Sequence, residues 1–159
     1  MNETAKTVLE QFPYGLYALT VKHEGEEHAI TASWVTQTSI DPPMVVVAVE
    51  NTSRTVEMTR DARHFAVNLL QEGQRELAGK LGRARAEAPS KLKGIKTKPA
   101  PASGAPVLSD ALGWLDCRVV ATLPSGDHTL ILGEVIAAGM EHAEAKPLTL
   151  QMAGLQYPG

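Results

Sequence analysis

The sequence predicts a mainly β domain, a barrel or sandwich of antiparallel strands with a few helices. Residues 16–35 form one predicted hairpin, which turns at the acidic segment HEGEE, and residues 114–138 form another, which turns at PSGD. Two hairpins favour antiparallel pairing. The segment MVVVAV at 44–49 is continuously apolar, which is typical of a strand buried on both faces.

The other elements follow from local patterns along the chain. Helices are predicted over 3–11, 54–62 and 73–82, and strands over 14–21, 28–36, 44–49, 65–70, 114–123, 128–138 and 148–156. Residues 44–70 also fit a strand–helix–strand unit with parallel strands, so a second topology stays open there. The 159 residues have the length of one domain.

Residues 83–106 differ in composition from the rest of the chain. They carry basic side chains and few large apolar ones, and they end in KTKPAPASGAP. Such a segment cannot bury a core of its own, so a long loop is predicted. Long loops in compact domains often cover binding sites, and we expect this one to be a lid.

Composition argues against several functional classes. With 15 basic and 18 acidic residues, the net charge of -3 gives no general attraction to nucleic acid. Cys117 is the single cysteine, which precludes an internal disulfide and fits a reducing cytoplasm. The sequence has no apolar run near the ~20 residues of a membrane span, and residues 1–12 lack the pattern of a secretory signal.

Two hydroxyl-rich segments are candidate binding sites. Residues 31–39 (TASWVTQTS) precede the breaker DPP and place polar groups at a strand end, although a threonine-rich strand is the alternative. Residues 51–55 (NTSRT) open a predicted helix, whose free N–H groups suit a phosphate, although an ordinary N-cap is the alternative. Their place on consecutive predicted strands favours one phosphorylated ligand lying across both.

His128 is the most informative histidine. It follows the turn residues Gly126 and Asp127 and opens a predicted strand, where an imidazole can bind a ligand or transfer a proton. The five histidines lack the spacing of a zinc site; His23 and His28 could share a hairpin but are predicted to be surface residues. No metal site is expected, and no nucleophile motif is present.

Six segments occur in a recognisable order. They are YGLYALT at 14–20, TASWVTQTSIDPP at 31–43, SRT at 53–55, FAVNLL at 65–70, GDH at 126–128 and GEV at 133–135. Together they resemble the flavin reductase-like family of FMN-binding split β-barrels, over about residues 10–157. The resemblance implies a closed six-stranded antiparallel barrel with peripheral helices, usually a homodimer, in which the helix within 44–70 is a peripheral excursion.

The resemblance also implies roles for individual residues. The segment formed by Thr31, Ala32, Ser33, Trp34 and Val35 would line the flavin ring, largely through backbone groups. The ribityl chain and phosphate would be held by Ser39, Ser53, Arg54 and Thr55. His128 would lie near the flavin and the nicotinamide, and Tyr14 and Tyr157 would flank the pocket.

The function that the resemblance implies is NAD(P)H-dependent flavin reduction, with FMN, or alternatively FAD, as the flavin. Its partner would be a redox protein or a monooxygenase. The loop lysines Lys91, Lys93, Lys96 and Lys98 would meet nucleotide phosphates if the loop is a lid, and a solvated basic loop is the alternative. Trp34 stands where the family usually has a smaller residue, and YGLYALT is similar to flavin domains of electron-transfer proteins. An FMN-binding electron-transfer module with little NAD(P)H activity is therefore the second hypothesis.

Overall fold

The computed structural model describes residues 1–83 and 91–156. The helices are α1 (Glu3–Leu9), α2 (Arg54–Ala62), α3 (Arg75–Leu81) and α4 (Leu150–Ala153). The strands are β1 (Tyr17–His23), β2 (Glu26–Ala32), β3 (Val35–Ser39), β4 (Met44–Glu50), β5 (His64–Leu69), β6 (Thr97–Pro99), β7 (Pro106–Leu108), β8 (Gly113–Ser125) and β9 (His128–Met140). None of the described helices combines the length and hydropathy needed to cross a bilayer.

Seven strands form one antiparallel sheet in the order β2-β1-β5-β8-β9-β4-β3. The long β8–β9 hairpin lies between β5 and β4, so these two strands are not neighbours. The parallel strand–helix–strand interpretation of 44–70 is therefore wrong. Helix α2 instead connects two strands that each pair, antiparallel, with one arm of the hairpin.

The sheet is strongly curled around its main core. Leu19 of β1, Ala32 of β2, Val47 of β4 and Phe65 of β5 belong to one buried cluster. In a flat sheet, β2 and β4 would be five strand spacings, or roughly 24 Å, apart, so only a curved sheet brings them together. Gly133 leaves room for this packing, because a Cβ there would lie 2.5 Å from Cζ of Phe65.

A closed barrel of six strands is not what the hydrogen bonds form. Among the described residues, pairing of the main sheet ends at β2 on one side and at β3 on the other, and the sheet has seven strands. The predicted strand 28–36 is in fact two strands, interrupted at Ser33 and Trp34. Because β2 pairs with β1 and β3 pairs with β4, the chain changes partners at this break.

The predicted strand over 148–156 is also wrong. Thr149 caps a short helix by accepting a hydrogen bond from the amide of Met152 (3.1 Å), and Gly154 ends that helix at φ 65°. These capping signals at the two ends determine the local structure. Helices α3 and α4 enclose a second core that includes Leu81 and Leu150.

The hairpin β6–β7 lies against the outer face of the sheet. The amide of Leu108 donates to Oδ1 of the buried Asn68 (2.8 Å), and the amides of Ala102 and Ser103 donate to Oδ2 of Asp116 (2.8 and 3.2 Å). These bonds hold residues 97–108 to β5 and β8. Residues 84–90 of the expected lid lie outside the described residues, so the lid stays a prediction for that part.

Candidate functional site

A cleft of about 760 Å³ lies where β2, α2, α3 and the tip of the β8–β9 hairpin meet. Seven of the predicted site residues line it: Thr31, Ala32, Ser33, Trp34, Ser53, Arg54 and His128. Three do not. Val35 packs against the main core, Ser39 lies at the far end of β3 opposite Met44, and Thr55 is buried in the first turn of α2. The roles assigned to all ten remain predictions.

The break between β2 and β3 forms one wall of the cleft. Just before it, the hydroxyl of Thr31 donates to the carbonyl of Ala78 in α3 (2.6 Å), while the carbonyl of Trp34 accepts from the amide of Ala48 (3.0 Å). Between these anchors, Ser33 makes no hydrogen bond to the part of the chain that is described. Its backbone and side-chain polar groups are therefore available to a ligand in the cleft.

The N-terminus of α2 forms a second wall. Ser53 caps the helix, and its Oγ accepts from the amide of Thr55 (3.2 Å). The side chain of Arg54 lies on Glu26, with Nε and Nη2 donating to its two carboxylate oxygens (3.1 and 2.7 Å). That ion pair raises the pKa of Arg54, so the guanidinium stays protonated. The carboxylate of Glu26 neutralises its positive charge.

His128 stands at the tip of the β8–β9 hairpin. Its Nδ1 is 2.6 Å from Oδ1 of Asp127, and its ring centroid is 4.6 Å from that of Trp34. The hydrogen bond and charge of His128 hold the pKa of Asp127 below its ordinary value. Asn51 fixes the turn on both sides of the histidine, because Nδ2 donates to the carbonyl of Gly126 (3.1 Å) and Oδ1 accepts from Thr129 (2.7 Å).

Two further residues of the cleft, His28 and Lys91, were not predicted for the flavin, although Lys91 was predicted to meet nucleotide phosphates. His28, expected on the surface, is 8% exposed in β2 and lines the cleft, so that prediction is wrong. The alternation of His28, Ile30 and Ala32 along one strand face is the signal that could have placed it. Lys91 is buried, and its Nζ donates to the carbonyls of Ala29 and Leu81 (3.3 and 2.9 Å).

The remaining residues predicted for the site, the loop lysines and two tyrosines, differ in where they lie. Burial lowers the pKa of Lys91, which lines the cleft, whereas Lys98 pairs with Glu141 on the outer face. Tyr14 donates its hydroxyl hydrogen bond to the carbonyl of Leu9 (2.9 Å). Tyr157 lies outside the described residues. Of the four loop lysines, Lys91 alone among the described lining residues meets the cleft.

The cleft fits the flavin nucleotide that the sequence resemblance implies. Its volume lies within the usual range for cofactor sites. Apolar side chains such as Ile30 and Val49 offer a surface for a flat ring, and Ser33 offers polar groups at its edge. The start of α2 supplies a hydroxyl, N–H groups and the positive end of a helix for a phosphate. Next to it, the buried Oγ1 of Thr55 has no partner among the described residues.

Known proteins match the chain along most of its length. A flavin reductase (NADH) of Kitasatospora aureofaciens is 31% identical over 151 residues, which are 92% of this chain and 76% of that protein. The reductase subunit HsaB of a flavin-dependent monooxygenase of Mycobacterium tuberculosis is 28% identical over 98% of this chain and 81% of its own length. A putative diflavin flavoprotein of Nostoc is 33% identical over 132 residues, but the match spans 23% of that longer protein.

A solved structure agrees with these matches. The NADH:FAD oxidoreductase SgcE6 of Streptomyces globisporus, in complex with NAD and FAD fragments, is similar with a TM-score of 0.83 and 28% identity, covering 91% of this chain and 85% of that one. The family model described as the flavin reductase like domain matches residues 9–157. The chain therefore belongs to the flavin reductase-like family.

Proposed function

We propose that this protein is an NAD(P)H:flavin oxidoreductase that binds FMN, or alternatively FAD, in the cleft beside Trp34 and His128. The observation that carries the proposal is the meeting of three features in one cleft. These are the free polar groups of Ser33, the N-terminus of α2 at Ser53, and the imidazole of His128. Each comes from a different element, and together they match the ring, the phosphate and the redox-active face of a flavin.

The residues would divide the work by position. The flavin, when bound, supplies the redox chemistry by accepting hydride from the nicotinamide. Ser53, Arg54 and the first N–H groups of α2 would hold the phosphate, with Thr55 beneath them. Ser33 would orient the ring through its backbone. His128, held by Asp127 and Trp34, would border the nicotinamide and fix its approach to the ring.

We propose further that the protein is a homodimer and that its flavin serves a monooxygenase partner. Four apolar side chains of the β8–β9 hairpin, Val120, Leu123, Ile136 and Met140, are 40–65% exposed, which supports burial against another subunit. The similarity to a monooxygenase reductase subunit supports the partner. A cytoplasmic location, where NAD(P)H is supplied, completes the proposal.

We also propose that the ends of β2 and β3 meet at the break and complete a split barrel, since Ala32 and Val35 pack in the same core.

The second candidate is an electron-transfer module that receives electrons from a protein and uses NAD(P)H poorly. The packing of Trp34 on His128 favours the electron-transfer module, because an indole at this position narrows the space through which a nicotinamide would approach the flavin. The similarity to the diflavin flavoprotein of Nostoc supports it as well.

An anaerobic absorbance titration separates the two candidates. The purified protein is loaded with FMN and mixed with NADH, then with NADPH. Rapid bleaching of the flavin band near ~450 nm is expected for the reductase. A band that persists with both nucleotides but bleaches with dithionite would instead support the electron-transfer module. Failure to take up either FMN or FAD would refute both candidates.

A further inference from the structure

Arg54 separates the cleft from a second opening in the surface. This neighbouring depression has a volume of about 610 Å³ and runs along α2. Among the described residues, Arg54 is the one that lines both openings. Four carboxylates, those of Glu24, Glu26, Glu57 and Asp61, line the depression and not the cleft. The guanidinium can therefore interact with groups on either side.

One donor edge of Arg54 is bound by a carboxylate, and a second carboxylate lies at ion-pair distance from the other edge. Nε and Nη2 bind the two oxygens of Glu26 (3.1 and 2.7 Å), and Nη1 is 3.8 Å from Oε2 of Glu57. Two parallel hydrogen bonds from one guanidinium edge are the strongest form of this pair. A phosphate at the start of α2 that bound the Nε and Nη2 edge in the same bidentate way would have to compete with Glu26 for it.

We propose that Glu26 is a specificity-determining residue that competes with the flavin phosphate for Arg54 and so keeps the flavin exchangeable. The inference rests on the proposed function, because it assumes that a flavin phosphate binds at the N-terminus of α2. Glu26 acts in two ways: it engages the cation that would bind the phosphate, and its own charge repels a dianion nearby. Both effects weaken binding of FMN and neither reaches riboflavin, which has no phosphate.

Glu26→Gln tests the inference, with dissociation constants of FMN and riboflavin measured by quenching of flavin fluorescence. FMN is expected to bind about two- to fivefold more tightly to the variant, the range in which exposed ion pairs act, while riboflavin binding is unchanged. Glu24→Gln is the matched control. It makes the same charge change at the same depression, but Glu24 pairs with His23 (3.7 Å) and has a side chain that is 86% exposed.

Arg54→Gln shows whether the effect passes through the guanidinium. In that background, Glu26→Gln is expected to leave FMN affinity unchanged within a factor of two. If the single variant Glu26→Gln binds FMN as tightly as the wild-type protein, or more weakly, Glu26 does not compete with the phosphate for Arg54 and the inference is wrong. If FMN and riboflavin bind equally well and Arg54→Gln affects neither, the phosphate is not at α2, which overturns both the inference and that part of the proposed function.

Discussion

The imidazole of His128 lies against the indole of Trp34, with 4.6 Å between the ring centroids and 44° between the ring planes. The contact joins the tip of the β8–β9 hairpin to the break between β2 and β3, two segments that are far apart in the sequence. Both rings line the cleft. A ligand stacked in the cleft therefore meets a histidine whose orientation is set by an aromatic neighbour on one side and by Asp127 on the other.

Replacement of His128 by alanine should slow reduction of bound flavin by NADH about ten- to hundredfold, because in the proposed site the nicotinamide would lose a group that fixes its approach. Affinity for FMN should stay within a factor of about two, since the phosphate and ring contacts are made elsewhere. Stopped-flow absorbance under anaerobic conditions measures the reduction. His23→Ala, at the last position of β1, is the control, and its flavin should be reduced at the wild-type rate. An unchanged rate in His128→Ala would remove His128 from the nicotinamide site.

Asn51 should act on the same step as a positioning residue. Its side chain holds Gly126 and Thr129, the residues two before and one after His128. Asn51→Ala should therefore slow flavin reduction by about tenfold. Thr129→Val, which removes one of the two side-chain bonds, should slow it less.

The decisive comparison for Asn51 is the double variant with His128→Ala. If Asn51 acts through the histidine, the double variant reduces flavin no more slowly than His128→Ala alone. Multiplication of the two effects would show that Asn51 only supports the fold, and thermal unfolding of each variant checks that support directly.

Local signals were enough to predict much of the fold. Helix α2 matches its predicted range of 54–62, because Ser53 caps it and its apolar residues share one face. The strands β4, β5, β8 and β9 also follow their patterns closely. For β4 the pattern was only partly informative: Val45, Val47 and Val49 are buried, whereas the alternate positions Met44, Val46 and Ala48 are half-buried. An apolar run predicts a strand, but it does not indicate how far the second face of that strand is buried.

Long-range packing determines what the sequence could not show. The predicted strand 28–36 is interrupted at Ser33 because β2 and β3 pair with different strands. The residue types at 33 and 34 do not indicate such a change of partner. Residues near the break were predicted for the site, but Lys91 reaches it through carbonyls of Ala29 and Leu81, which are distant in sequence. The ion pair between Arg54 and Glu26 likewise joins residues that lie 28 positions apart in the sequence.

Replacement of Thr55 by valine should raise stability and lower selectivity for FMN. The Oγ1 atom of Thr55 is buried without a partner among the described residues, and removal of such a hydroxyl should stabilise the ligand-free protein by roughly 1 kcal/mol. If the hydroxyl of Thr55 binds the flavin phosphate, the variant also loses affinity for FMN but keeps its affinity for riboflavin. Urea unfolding and flavin titration measure the two effects.

Thr59→Val is the matched control for this prediction. Thr59 lies on the same helix, is equally buried, and also has an unpartnered Oγ1 within the described chain. It should gain stability to a similar extent without any change in flavin binding. Equal flavin affinities in the two variants would leave Thr55 as a core residue and assign the phosphate to Ser53 and the amides of α2.

Acid should weaken the attachment of the β6–β7 hairpin through Glu141. Its Oε1 accepts from Nε1 of Trp114 (2.9 Å) and lies 2.5 Å from Nζ of Lys98 in β6. Lys98 and Trp114 hold the pKa of Glu141 below its ordinary value near 4.5. The unfolded chain therefore takes up its proton first as the pH falls, so the contribution of Glu141 is present above about pH 4.5 and is lost as the pH falls through the lower, folded value.

Glu141→Gln should accordingly be less stable than the wild-type protein at about pH 7, and the difference should shrink toward zero at about pH 3. Urea unfolding at a series of pH values measures it. Glu144→Gln, at an exposed position three residues further on, is the control and should differ little from wild type at any pH. A stability difference for Glu141→Gln that stays constant from pH 7 to pH 3 would mean that the charge of the carboxylate does not hold the hairpin, because that contribution has to disappear when Glu141 is protonated.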